Sequence, residues 1–96
     1  MALKLAIYGY DTDIGQLVIE TLEEQKIDIA DIYPLSPLSG EYDAINVNKQ
    51  NYFVQSIDEF DFSKANVALF LTTQDESQRW ISKAQSEGCV VIDNSH

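Results

Sequence analysis

Basic side chains are scarce in this chain: six Lys and Arg stand against sixteen Asp and Glu, a formal charge of −10 over 96 residues. A surface so acidic repels nucleic acid and anionic membranes, because both are held by neutralising phosphate charge. It also opposes any phosphate ligand unless local groups overcome it. Cysteine is almost missing. The single Cys89 lies in the apolar run "CVVI", which excludes a disulfide framework and a thiolate zinc site, and no metal site is expected. No apolar run is long enough to span a bilayer, and the opening "MALKLAIYGYD" lacks a signal-peptide cleavage pattern. A cytoplasmic location is therefore the default expectation. Internal repeats and low-complexity tracts are also absent.

What is present is an apolar fraction of 45%, enough for one domain over residues 1–96 and no more. A domain of this size buries about 60–65% of its extended surface, so its stability is expected to be modest. "LKLAIY" reads as a strand, Leu3 to Tyr8. From Ile14 to Glu24 apolar residues fall at 14, 17, 18, 19 and 22, predicting a one-sided helix with Ile19 at the edge of its apolar face. Asp11, Thr12 or Asp13 can cap it. A second strand is centred on Ala30 to Leu35, with an end blurred by Pro34, and "SPLSG" is a loop. Alternation on either side of "NKQN" predicts a hairpin with strands near Ala44 to Val47 and Tyr52 to Gln55. "DEFDFSKAN" has room for one helical turn. "VALFLT" reads as a central strand covered on both faces. A helix from near Glu76, with Trp80, Ile81 and Ala84 on one side, ends at Gly88. "CVVID" reads as a last buried strand. Strands alternating with helices predict an α/β fold, a mostly parallel sheet with right-handed crossovers and one small hairpin. Such sheets bind ligands beyond the carboxyl ends of their strands, where this chain places "GYDTDIG", "SPLSG", "LTTQDES" and "DNSH".

"GYDTDIG" follows the first strand and opens the first helix. A dinucleotide fingerprint needs one glycine for the tight turn, a second for the approach of the pyrophosphate and a third for helix–strand packing. Gly9 and Gly15 suit the outer roles. Thr12 sits where the middle glycine would admit phosphate, and Asp11 and Asp13 can occupy the helix N–H groups and repel it. Two spaced glycines are a weak signal, and a purely structural turn accounts for them as well. Asp28 and Asp31 fall near the spacing of a ribose-binding carboxylate, and equally read as solvated residues flanking a strand.

Three blocks taken together carry a resemblance. "LAIYGYDTDIG" is similar to Val-Ala-Ile-Val-Gly-Ala-Thr-Gly-Ala-Val-Gly, and "LSPLSG" to Ala-Ser-x-Arg-Ser-Ala-Gly. "VALFLTTQDESQRWISKAQSEGCVVIDNSH" resembles Ala-Leu-Phe-Ser-Ala-Gly-Gly-x-x-Ser, a helix, and Gly-x-x-Val-Ile-Asp-Asn-Ser-Ser. These are motifs of the N-terminal coenzyme domain of the aspartate-semialdehyde dehydrogenase family, and the chain looks closer still to its Usg-type paralogues. The resemblance implies a Rossmann-like three-layer αβα domain that takes NAD or NADP. It also implies a following catalytic and dimerisation domain, and a homodimer as the intact protein. Family enzymes reductively dephosphorylate an acyl phosphate with NADPH, or run the reverse, in amino-acid biosynthesis. They work through a thioacyl cysteine, for which a thiolate is needed, and an acid–base histidine. By the resemblance both lie downstream of this region. Cys89 aligns with a buried strand position and His96 with a serine, so no catalytic residue is assigned and the chain alone is expected to catalyse nothing.

Carried over position by position, the resemblance puts Gly9, Thr12, Asp13, Ile14 and Gly15 in the pyrophosphate loop. It puts Ser36, Leu38 and Ser39 at the adenosine ribose, Leu71, Thr72 and Thr73 in the coenzyme cleft, and Asn94 and Ser95 toward the nicotinamide. The departures share one direction. Thr12 replaces glycine, Asp13 a small apolar residue, and Leu38 the arginine whose guanidinium would pair with a 2′-phosphate. Thr72, Thr73 and Gln74 replace Ala-Gly-Gly. Two functional readings therefore stand: the coenzyme domain of a semialdehyde-dehydrogenase-like oxidoreductase, and a non-enzymatic homologue whose domain serves as scaffold or interaction module without coenzyme. A response-regulator-like module is disfavoured because the required arrangement of acidic cluster and lysine is missing.

Overall fold

The computed structural model describes residues 2–37 and 43–95. A five-stranded parallel sheet forms its centre, in the order β5-β2-β1-β6-β7, with a separate antiparallel pair β3-β4. The strands are β1 (Leu3–Tyr8), β2 (Ile29–Ser36), β3 (Ala44–Val47), β4 (Gln50–Phe53), β5 (Gln55–Ser56), β6 (Val67–Phe70) and β7 (Val90–Asp93). Helix α1 (Asp13–Glu24) and the β3–β4 hairpin cover one face. Helix α2 (Gln74–Ser86) and a 3-10 turn at Phe62–Lys64 cover the other. This is the expected Rossmann-like α/β layering. Among the described residues no helix is long and apolar enough to cross a membrane.

The sheet's pleat sorts the core in two. Leu5 and Ile7 join Ile19, Leu22, Ile32, Val47, Tyr52 and Leu71 on the α1 face. Ala6 and Tyr8 join Leu35, Phe60, Phe62, Ala68, Phe70 and Ala84 on the α2 face. Alternation along β1 thus feeds two cores, as a strand covered on both sides must.

Several expectations need correction. On α1 the buried line is Gly15, Ile19 and Leu22, so Ile19 lies at the centre of the buried face, and Leu17 is 61% exposed. Gly15 sets this rotation, because its α-carbon must pack on the Gly9–Tyr10 backbone, and Leu17, two residues on, then points away. Pro34 lies inside β2, paired with Ile7, and is fully buried. Proline is tolerated there because β5 pairs only with Leu35 and Ser36, leaving the stretch through Pro34 without a ladder on that side. The hairpin is tighter than expected. Asn48 and Lys49 both take positive φ, forming a two-residue turn that matches strand twist. The second hairpin strand consequently starts at Gln50, and Gln55 belongs to the main sheet.

The last strand is not buried. β7 is a sheet edge, with Val90 64% and Ile92 49% exposed. Beside it, Val67 and Leu69 of β6 are only half-buried, because α1 and the hairpin lie over the other end of that face. α2 ends as expected. Gly88, at φ +101°, lets Cys89 N–H donate to Ala84 C=O and Gly88 N–H to Gln85 C=O, the paired bonds of a Schellman cap.

Candidate functional site

The sheet order places the β1–α1 and β6–α2 turns side by side at the carboxyl ends of adjacent strands, where open parallel sheets form their binding crevices. Gly9 at φ +102° turns the chain out of β1. A side chain on it would meet the Leu71 carbonyl carbon and the Thr72 nitrogen at 2.9 and 3.0 Å, so the two turns touch through backbone.

Thr12 closes the first turn. Its hydroxyl donates to the Gly9 carbonyl at 2.7 Å and accepts the Gly15 N–H at 3.0 Å. The N-cap is therefore Thr12, one of the three candidates, and neither Asp11 nor Asp13 takes that place. Asp13 is the first helical residue and points its charge at solvent. The physical reason is reach: only the residue at the cap position, with extended backbone, can turn its side chain back onto the N–H three residues later. Ile14 packs half-buried against the α1-face core.

A cleft of about 280 Å³ opens beside these turns. It contains three residues expected at a site, Gly9, Ser36 and Thr72. Asp11, expected beside a phosphate, lines it too, while sequence reasoning missed Tyr8, Tyr10, Leu35, Pro37 and Glu76. The signal available for Tyr8 and Leu35 was their position as last residues of strands that end at the crevice. Tyr8 is buried against Phe70, edge to face at 6.2 Å, and its hydroxyl donates to Glu76 Oε2 at 2.8 Å. Burial, then this hydrogen bond, pushes the Tyr8 phenol far above its ordinary value of 10.0, so Tyr8 stays a donor.

Other expected residues lie elsewhere. Leu71 is a core residue, 2% exposed, whose N–H donates to Tyr8 C=O. Thr73 caps α2, accepting the Glu76 N–H at 3.4 Å. Asn94 is exposed, its N–H given to Phe70 C=O. Ser95 gives both its N–H and its hydroxyl to Asp93 Oδ1, which lowers the Asp93 carboxyl below its usual range. Leu38, Ser39 and His96 lie outside the described residues. Asp31 stands in the first half of β2, its Oδ1 taking the Ile32 N–H, and Asp28 precedes the strand. At about 3.3 Å per residue, Asp31 lies roughly 16 Å from Ser36 at the cleft. Neither aspartate is placed to read a ribose there. Cys89 is buried, its thiol donating to the Phe62 and Ala65 carbonyls, and burial raises its pKa. That is the opposite of an activated nucleophile.

A glycine turn entering a helix at the crevice of a parallel sheet defines a dinucleotide-binding type of domain. A family model described as "Semialdehyde dehydrogenase, NAD binding domain" matches residues 4–96, and the chain belongs to that family. An aspartate-semialdehyde dehydrogenase of Legionella pneumophila is 34% identical over 97% of this chain and 27% of its own length. A USG-1 protein homolog of Azotobacter vinelandii is 27% identical over 98% of this chain and 28% of its own. The expected closeness to Usg-type paralogues therefore has no advantage in identity. The crystal structure of aspartate semialdehyde dehydrogenase II complexed with ASA from Vibrio cholerae superposes with a TM-score of 0.90 at 30% identity, over 99% of this chain and 31% of that one. The chain thus spans under a third of the length of the relatives it matches.

Proposed function

We propose that this chain is the NAD(P)-binding-type domain of an oxidoreductase that resembles aspartate-semialdehyde dehydrogenase, acting on an aldehyde or acyl phosphate in amino-acid biosynthesis. The supporting observation is the coincidence of the family match over residues 4–96 with a Gly9–Gly15 turn that opens on a cleft. The catalytic cysteine and histidine, and the dimer contacts of a homodimer, belong on this reading to the part of the relatives that the chain does not span. The chain alone catalyses nothing.

Of the residues proposed at the coenzyme, the Gly9 turn, Thr72 and Ser36 suit the backbone and nucleoside of a dinucleotide. The phosphates fit poorly. Thr12 already holds the Gly15 N–H that a pyrophosphate would use, Asp11 and Glu76 are the ionisable carboxyls of the cleft, and no Lys, Arg or His lines it among the described residues. With Leu38 where an arginine would meet a 2′-phosphate, NADP should gain nothing over NAD. Calorimetric titration of the chain should give dissociation constants in the range of about 1–10 mM for both, NAD at least as tight as NADP. A micromolar constant for NADP would overturn this.

The second reading, a non-enzymatic homologue acting as scaffold, is favoured by one observation: the Thr12 hydroxyl already occupies the Gly15 N–H and holds the Gly9 carbonyl, so the turn is complete without a ligand. It predicts no saturable binding of either coenzyme, and a parent lacking a cysteine at a strand-to-helix turn.

A further inference from the structure

A hydrogen bond from Tyr8 to Glu76 ties the end of β1 to the first turn of α2. In the quoted motifs the Tyr8 position holds Val and the Glu76 position is unspecified, so nothing in the family pattern calls for a carboxylate hydrogen-bonded to a strand-end phenol. Glu76 stands in the first turn of α2 and lines the cleft. Tyr8 holds one of its oxygens, and the other lies 3.5 Å from Arg79 Nη1. An ionised carboxylate has about four acceptor positions, so two such contacts leave capacity toward a ligand. Arg79 does not line the cleft, and its side chain is 67% exposed. A surface pair of that kind is largely screened and does not cancel the charge on the cleft side. Asp11 adds a second carboxylate from the β1–α1 turn. The volume, about 280 Å³, falls just below the ~300–1,000 Å³ usual for ligand sites, the scale of a nucleoside-sized fragment.

We propose that Glu76, positioned by Tyr8, is the selectivity residue of this cleft: it accepts hydroxyl or amino hydrogens from an uncharged nucleoside and excludes phosphate groups. This rests on the coenzyme-cleft reading above and names the part of the ligand that the cleft retains. A ribose diol is the fitting partner, because both its hydroxyls can donate to a carboxylate. Asp28, just before β2, and Asp31, in its first half, lie too far back from the cleft to do so.

The test is a ladder of adenosine, AMP and ADP, titrated into the 96-residue chain by calorimetry beside NAD. Affinity should fall at each added phosphate. Glu76→Gln should tighten AMP and ADP by about tenfold, as expected for removing one like charge in a partly solvated site, and leave adenosine equal or weaker. Glu76→Asp keeps the charge while shortening the reach to Tyr8, so it should keep the falling ladder. This separates charge selection from a merely structural role of the Tyr8 contact, and circular-dichroism melts establish that each variant is folded. A wild-type ladder that rises with phosphate while NAD still binds overturns the proposal alone. So does a Glu76→Gln variant that moves all three ligands equally. No binding of NAD or of any nucleoside at about 10 mM overturns it together with the coenzyme reading.

Discussion

Gly15 and Gly9 are joined by the absence of a side chain. The α-carbon of Gly15 faces the Gly9 carbonyl oxygen so closely that a Cβ would collide with it and with the Tyr10 carbonyl group. All three contacts are backbone, which cannot swing aside as a side-chain tip can. Gly15→Ala should therefore cost about 2–4 kcal/mol, at or beyond the usual range for overpacking. Gly88 has open space around it but a φ of +101°, so Gly88→Ala should cost about 1 kcal/mol from backbone strain alone. Urea denaturation that ranks the two variants equally would contradict this account.

Thr12 bridges Gly9 and Gly15 through one hydroxyl. Thr12→Ser retains both bonds and should be nearly neutral. Thr12→Ala loses them and should destabilise the chain by about 0.5–2 kcal/mol. Amide exchange at Gly15 should accelerate in the alanine variant and stay slow in the serine variant. Equal exchange in both would show that the hydroxyl contributes nothing to the turn.

Trp80 is half-buried against the α2-face core, with Lys83 Nζ 5.7 Å from its ring. Its indole N–H is buried without a hydrogen-bond partner among the described residues. Full burial would make Trp80→Ala cost about 3–5 kcal/mol. Partial exposure and the unsatisfied N–H, itself a penalty of about 1–3 kcal/mol, reduce that to roughly 1.5–3 kcal/mol. Trp80→Phe discards the unsatisfied donor with much of the apolar contact kept, so it should lie within about 1 kcal/mol of wild type. A phenylalanine variant as damaged as alanine would locate the stabilisation in the indole nitrogen after all.

Stability should fall at alkaline pH. Burial raises the phenols of Tyr8, Tyr33 and Tyr52 above 10.0 and the thiol of Cys89 above 9.0. In each case the folded state holds its proton more tightly than the unfolded chain does. The contribution is complete below the ordinary value and is lost as pH climbs from there through the raised one. Denaturation midpoints should be level near neutral pH and decline from about pH 9 upward. Tyr8→Phe should make that decline shallower, and an unchanged slope would remove Tyr8 from the account.

The exposed face of β7 should tolerate polar residues. Val90 and Ile92 are 64% and 49% exposed, so Val90→Thr with Ile92→Thr should shift stability by less than about 1 kcal/mol and reduce binding of an apolar dye. Phe62→Ala, at a fully buried position, should cost about 3–5 kcal/mol. A comparable loss in both would mean that β7 is covered in solution.

The sequence by itself determined the order of the longer elements, their parallel pairing and the span of β1, though not the two-residue β5, because apolar periodicity is local and this chain obeys it. It also marked Gly9 and Gly15, since only a residue without Cβ permits such a turn. Tertiary structure decided what depends on neighbours. A run such as "CVVI" reads the same at a sheet edge as at its centre, so only the strand order exposed Val90 and Ile92. Leu17 turned outward because Gly15 had to face the Gly9–Tyr10 backbone. The cleft followed the same rule. Tyr8 and Glu76 are 68 residues apart, and their meeting depends on β1 and β6 lying side by side with α2 beginning at the same end. No local pattern encodes a contact made by the packing of the whole sheet.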